Sequence, residues 1–147
     1  MISNKAKYAL KALVFLAKAH REGRIVSASE IAESDHIPKK FLEQILLQLK
    51  HRGIVASLRG KAGGYTLGRR PEEVTFGEVL RLIDGPIAPL PCLSRIAYER
   101  CEDCADEANC EVRRVFSSVA DATRAVLDRT TLATAIRGQA EAILALH

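Results

Sequence analysis

The stretch from Ser27 to Leu67 constrains the fold more than any other, because two helical patterns joined by a tight turn run straight into a glycine-broken pair of strand patterns. Ser27 can cap a short helix, with Glu30 three residues on completing a capping box and Ile31 and Ala32 facing inward. Ser34-Asp35-His36 breaks it. Pro38 suits the first turn of the next helix, where its missing N–H would be unpaired anyway, and Phe41, Leu42, Ile45, Leu46 and Leu49 make a buried stripe that ends at Gly53. Ile54 to Leu58 then alternates as a strand, Arg59-Gly60-Lys61-Ala62-Gly63-Gly64 is a flexible basic turn, and Tyr65-Thr66-Leu67 returns as a second strand. Two helices, a tight turn and a basic hairpin make a winged helix-turn-helix, whose second helix enters the major groove of DNA. A phosphate-cradling nucleotide loop is the competing reading of the glycines, but the Gly-x4-Gly-Lys-Ser/Thr order is absent and no helix follows the turn.

The flanks extend this unit. Residues 3 to 20 carry a capping Ser3 and Ala6, Ala9, Leu10, Leu13, Val14 and Ala17 at helical spacing, which predicts an amphipathic first helix. Thr75 and Glu78 form a second capping box ahead of Phe76, Val79, Leu80 and Ile83, and Asp84-Gly85-Pro86 ends that helix. Between 85 and 109 no periodicity is sustained, so this loop needs something besides an apolar core to order it. With Asn109 as cap, Val112, Val115, Phe116, Val119, Ala122, Thr123 and Val126 then lie along one face of a helix. About 18 residues span about 27 Å, more than so small a domain needs for its own core. Pairing with the same helix of a second subunit uses that stripe, making Val112, Val115, Phe116, Val119, Thr123 and Val126 a dimer interface. The alternative is a helix folded back on its own domain. Thr131 can cap a final short helix that Gly138 interrupts, and the sequence leaves residues 139–147 unplaced. The expected architecture is mainly α with a small β-wing: a winged helix-turn-helix domain at 1–84, a cysteine-rich loop at 85–109, a dimerisation helix at 110–130 and a tail at 131–147.

Charge agrees with a nucleic-acid surface through its distribution rather than its total. The net charge is only +4, but residues 36–70 hold eight basic side chains against one acid, Glu43, whereas residues 91–147 hold seven basic and nine acidic. Lys39, Lys40 and Gln44 are placed to face the major groove, since the buried stripe points the other way. Glu43 can accept from cytosine or repel phosphate and so enforce register. On the wing, Arg59 and Lys61 can reach phosphates or a narrow minor groove. Gly63 and Gly64 permit the turn, and Tyr65 follows them at the edge of the same surface. Lys50, Arg52, Arg69 and Arg70 read as solvated charges.

All four cysteines lie between 92 and 110: Cys92, Cys101, Cys104 and Cys110. No apolar run approaches the roughly 20 residues of a membrane span and the N-terminus lacks the zones of a secretory signal, so a cytoplasmic location is expected. In that reducing compartment clustered cysteines are metal ligands or redox thiols rather than disulfides. Iron–sulfur clusters and structural zinc both accept four thiolates; the solitary placing of Cys92 and Cys110 argues mildly against a zinc knuckle. Cys110, in the first turn of the long helix, gains from free N–H groups and the helix dipole, which favour a thiolate.

Tyr8-Ala9-Leu10, the run FLEQILLQLKHRGIVASLRGKAGGYTLGR from Phe41 to Arg69, and Pro71, Val74, Thr75 and Asp84-Gly85 together resemble the IscR/NsrR/RirA type of bacterial winged-helix regulators. The resemblance covers about residues 1 to 130 and is most specific at the wing. It implies a homodimeric transcription factor on palindromic double-stranded DNA. It also implies an iron–sulfur cluster, 2Fe–2S or 4Fe–4S, whose state reports redox, iron or nitric oxide status; zinc or a metal-free thiol switch is the alternative. Cluster-binding members of this type have three cysteines, the last two separated by five residues; Cys104 and Cys110 reproduce that spacing and Cys92 fits the first position. Cys101 is an addition, either a fourth ligand or a spare or resolving thiol.

Enzymatic readings fare poorly. His20, His36, His51 and His147 are isolated from one another, and neither HExxH nor G-x-S-x-G occurs. A thiol oxidoreductase using Cys101 and Cys104 would need its C-x2-C at the end of a βαβ strand, and here the motif lies in an acidic loop.

Overall fold

In a computed structural model the backbone is described over residues 2–145 and the side chains over residues 2–138. Six helices and one two-stranded antiparallel sheet follow the expected order among the described residues. Helix α1 (Asn4–Arg21) starts at Ser3, whose Oγ accepts from the Ala6 N–H at 3.0 Å. Its buried face runs through Ala6, Ala9, Ala12, Leu13, Leu16 and Ala17, while the expected Leu10 and Val14 stay half-buried at its border. Four alanines on that face let neighbouring backbones approach closely.

Helix α2 (Ala28–Asp35) is capped by Ser27 and ends at His36, which takes a left-handed φ of 54° and turns the chain toward α3 (Lys39–His51). Pro38 occupies the cap position of α3, one residue earlier than expected; it offers no side-chain acceptor, only its carbonyl to the Leu42 N–H at 2.9 Å. Leu42, Ile45, Leu46 and Leu49 are buried and Phe41 is half-buried, edge-on to Tyr8 at 5.9 Å. The two capping boxes are only half made. Ser27 and Thr75 accept from the Glu30 and Glu78 N–H groups at 3.1 Å each, but Glu30 turns to Arg24 (3.1 Å) and Glu78 to Arg69 (2.6 and 3.0 Å). A charge-assisted hydrogen bond to arginine outweighs one to a neutral backbone N–H.

Strands β1 (Val55–Leu58) and β2 (Gly64–Leu67) pair Val55 with Leu67 and Leu58 with Gly64. Val26 adds a one-residue third strand, exchanging both main-chain hydrogen bonds with Tyr65 at 2.7 and 3.0 Å. Gly64 makes this approach possible, since a Cβ there would stand 2.5 Å from the Val26 carbonyl oxygen.

Helix α4 (Phe76–Asp84) reaches back to the start of the chain, where Asp84 accepts from the Ser3 N–H at 2.9 Å and from its hydroxyl. Helix α5 (Glu111–Arg129) packs on α4 through Ala120 and through Arg81, which donates to both carboxylate oxygens of Asp128 at 2.7 and 2.9 Å. The Arg81 guanidinium holds the Asp128 carboxyl below the usual carboxylate range.

The final helix expected behind a Thr131 cap, in the segment 131–147, is α6 (Leu132–Ala145), which runs through Gly138 instead of being interrupted there. Thr131 and Thr134 cap it reciprocally at 2.8 and 3.0 Å, the turn before it pairs with the start of α4, and Leu132 is fully buried in the winged-domain core. The side chains of 139–147, left unplaced by the sequence, lie outside the described residues. No helix among the described residues is long and apolar enough to cross a membrane.

Candidate nucleic-acid interface and thiol centre

The burial of α3 sorts its residues by face. Leu42, Ile45, Leu46 and Leu49 pack inward, which leaves Lys39, Lys40, Glu43 and Gln44 exposed along the opposite side. Leu47, left out of the buried stripe by its position, is 52% exposed on this polar face, where the charge and hydrogen-bonding pattern gives an apolar residue no signal. Across the hairpin, Gly60 takes a φ of 103° and its carbonyl accepts from Gly63 at 3.0 Å, so Arg59 and Lys61 project from a closed turn. Among the described residues the ion pairs engage Arg24, Arg69, Arg70, Arg81, Arg95 and Arg124, which leaves Lys39, Lys40, Arg59 and Lys61 unpaired. Arg69 and Arg70, expected to be solvated, are tied to Glu78 and Glu73.

Three residues grouped with this surface have structural duties. A Cβ on Gly63 would collide with the Leu58 carbonyl, and one on Gly64 with Val26. The Tyr65 side chain packs against the core, half-buried.

The thiol centre is built on two anchored cysteines and two on a loop. Cys92 lies in a 3-10 turn, Pro91–Leu93, and is 4% exposed. Arginines of α5 hold that turn: Arg124 donates to the Leu93 carbonyl at 2.6 Å and Arg113 to the Cys92 carbonyl at 3.4 Å. Cys110, not Asn109, is the N-cap of α5, its Sγ accepting from the Arg113 N–H at 3.4 Å. Asn109 is drawn away because its side-chain amide donates to Asp106 at 2.6 Å. Between these anchors Tyr98 donates to Glu107 at 2.5 Å and closes the loop that carries Cys101 and Cys104. That bond pushes the Tyr98 hydroxyl above its ordinary range. Cys104 donates its N–H to the Cys101 carbonyl at 3.1 Å, and Arg100 reaches the Cys104 and Ala105 carbonyls at 3.4 Å each. Desolvation, then the neighbouring Cys92 thiol, raises the pKa of Cys101.

All four thiols are free. Among the described residues no three His, Cys, Asp or Glu side chains converge on one point. The donor set nevertheless suits a thiophilic metal or an iron–sulfur group in kind, four free thiols carried by one loop and the helix cap that ends it. A second observation agrees: the one buried side-chain nitrogen or oxygen without a partner, among the described residues, is Arg113 Nε beside these cysteines.

The remaining face of α5 is apolar and open. Val112, Val115, Phe116, Val119 and Val126 are 41 to 61% exposed and Thr123 is exposed beside them, while Ala120 and Arg124 on the opposite face are buried against the same chain. The helix therefore folds back on α4 with one face and presents the expected stripe with the other.

The profile of one family, described as iron-dependent transcriptional regulators, matches residues 2–138. The chain belongs to the Rrf2 family. An Rrf2-like helix-turn-helix transcriptional regulator of Rhodobacter capsulatus is 52% identical over 134 residues, covering 90% of this chain and 89% of that one. CymR of Bacillus subtilis, the global cysteine regulator, is 36% identical in its solved structure, with a TM-score of 0.74 over 90% of this chain and 92% of that one. IscR of T. potens superposes with the same TM-score of 0.74 at 28% identity, over 97% of this chain and 90% of that one. As a member of the Rrf2 family the protein is a transcriptional regulator and not an enzyme. Within the winged helix, Lys39 and Lys40 of α3 and Arg59 and Lys61 of the wing are all exposed.

Proposed function

We propose that this Rrf2-family regulator binds palindromic double-stranded DNA as a homodimer and adjusts its affinity through an iron–sulfur cluster held by Cys92, Cys101, Cys104 and Cys110. The observation that carries the reading is that the anchored cysteines and the open apolar stripe share one helix: Cys110 caps α5, Cys92 is tied to α5 through Arg113 and Arg124, and the stripe is the outer face of α5. Cys101 serves as fourth ligand, supported by its free, half-buried thiol on the loop that also carries Cys104.

Lys39, Lys40 and the wing residues Arg59 and Lys61 neutralise phosphates, while Gln44 offers a bidentate contact to adenine and Glu43 accepts from cytosine or enforces register. Leu47 on the same face suits a thymine methyl group. An Arg59→Ala variant is expected to bind operator and random duplex more weakly alike, with a salt dependence flatter by about one unit. An unchanged slope in fluorescence-anisotropy titrations from low to moderate salt would remove Arg59 from the interface.

A bound cluster supplies a centre whose charge and ligation respond to redox, iron or nitric oxide. The chain does the rest. At its C-terminal end α5 is stitched to α4, with the Phe76 N–H donating to the Thr130 carbonyl at 2.9 Å and the Leu132 N–H to the Val74 carbonyl at 3.0 Å. At its N-terminal end it is held by the cysteine loop, so ordering or releasing that loop changes the support of the dimer helix and the spacing of the two wings. Protein purified anaerobically should be brown, with absorption bands beyond 300 nm that disappear in a Cys92→Ala, Cys104→Ala, Cys110→Ala variant. Equal operator affinity of the loaded protein and that variant would sink the sensing role.

A metal-free thiol switch is the second reading, favoured by the 37% identity to CymR of Bacillus subtilis and by the four free thiols. Colourless protein without metal supports it, and colourless protein with stoichiometric zinc supports a structural site.

A further inference from the structure

Arg113 stands where the two anchored cysteines meet. Its main-chain N–H donates to Cys110 Sγ at 3.4 Å, and Nη2 of its guanidinium donates to the Cys92 carbonyl, also at 3.4 Å. The third contact is missing: Nε is buried and finds no acceptor. Leaving a buried charged donor unpaired costs more than a neutral one, and native structures rarely tolerate it. Two acidic side chains of the preceding turn are occupied elsewhere, Glu107 by the Tyr98 hydroxyl at 2.5 Å and Asp106 by Asn109 at 2.6 Å. What the surroundings offer instead is sulfur, from a half-buried Cys110 on one side and a buried Cys92 on the other. A thiolate centre gathers negative charge, and hydrogen bonds to its sulfurs from residues around it set its potential and hold its ligands in place.

We propose that Arg113 is a positioning residue of the thiolate centre, its Nε–H donating to a sulfur of the group that Cys92 and Cys110 hold while Nη2 keeps the Cys92 turn against α5. This rests on the metal-centre reading above. Arg124 does the structural part of the same work, its 2.6 Å bond to the Leu93 carbonyl holding the turn. The two arginines on one helix therefore differ in reach, Arg124 fixing the backbone alone and Arg113 fixing it and extending to the sulfur.

The test compares anaerobically reconstituted wild type with Arg113→Gln and Arg113→Lys, in the full-length chain, by iron and sulfide content and by spectroelectrochemical reduction. Loss of a positively charged donor disfavours the added electron, so the Arg113→Gln midpoint should move negative by about 59 mV, a tenfold change in a one-electron equilibrium. Arg113→Lys, which keeps the charge, should recover part of the shift. An Arg124→Gln variant should lower cluster content while leaving the midpoint of the clusters that form unchanged. An unaltered midpoint in Arg113→Gln overturns the inference and leaves the metal centre standing. Wild-type protein that takes up no iron and sulfide overturns both together.

Discussion

A Phe116→Glu, Val119→Glu double variant is expected to sediment as a monomer and to lose roughly 100- to 10,000-fold in affinity for a two-half-site operator, the avidity that linked half-sites provide. Val112, Phe116, Val119, Thr123 and Val126 recur at alternating spacings of four and three, and four of them are apolar yet 41 to 57% exposed in the single chain. Such a seam pairs with a like helix by inserting each side chain between those facing it. Placing two carboxylates on each side of that seam removes apolar burial and sets like charges against one another, so the cost falls on association and spares the fold of one chain. A duplex with a single half-site provides the control, since its affinity should be unaltered. A variant that remains dimeric at micromolar concentration would locate the dimer contact elsewhere.

Leu132→Ala is expected to destabilise the winged domain by about 2–5 kcal/mol, the range for deleting a fully buried leucine. Leu132 has no exposed surface and belongs to the same core as Leu13, Leu16, Leu46 and Leu49, although more than eighty residues separate it from them. For a chain of this size each kcal/mol shifts the melting temperature by roughly 2–4 °C, so a drop of about 10 °C is the central expectation. Operator binding should fail at the temperature where the variant unfolds, because the recognition helix rests on that core. A change within about 0.5 kcal/mol, typical of surface sites, would show that α6 merely leans on the domain.

Much of this fold is written locally. The stripe of α3, the glycine-rich turn and the caps Ser3, Ser27 and Thr75 are each decided by residues within a few positions of one another, so period and capping chemistry place them before any packing is known. The cationic face was legible for the same reason, being the complement of a buried stripe. The half-made capping boxes were not, because Glu30 and Glu78 are claimed by Arg24 and Arg69, which no local pattern brings near. Gly138 looked like a helix breaker, but a single interior glycine costs only about 1 kcal/mol, which burial of Leu132 and packing on α1 outweigh.

The sequence by itself determined the winged helix, the apolar stripe of α5 and the existence of four clustered thiols, since periodicity, turn chemistry and composition act over short stretches of chain. Only the tertiary structure decided which face of α5 stays open, that Cys110 rather than Asn109 caps it, that Arg113 and Arg124 clamp the Cys92 turn, and that the C-terminal helix returns to the core. The cap turns on a competition for Asn109 that Asp106 wins, and the clamp joins residues 21 and 31 positions apart. In each case hydrogen-bond competition and the shape of the core, not local preference, choose the partner.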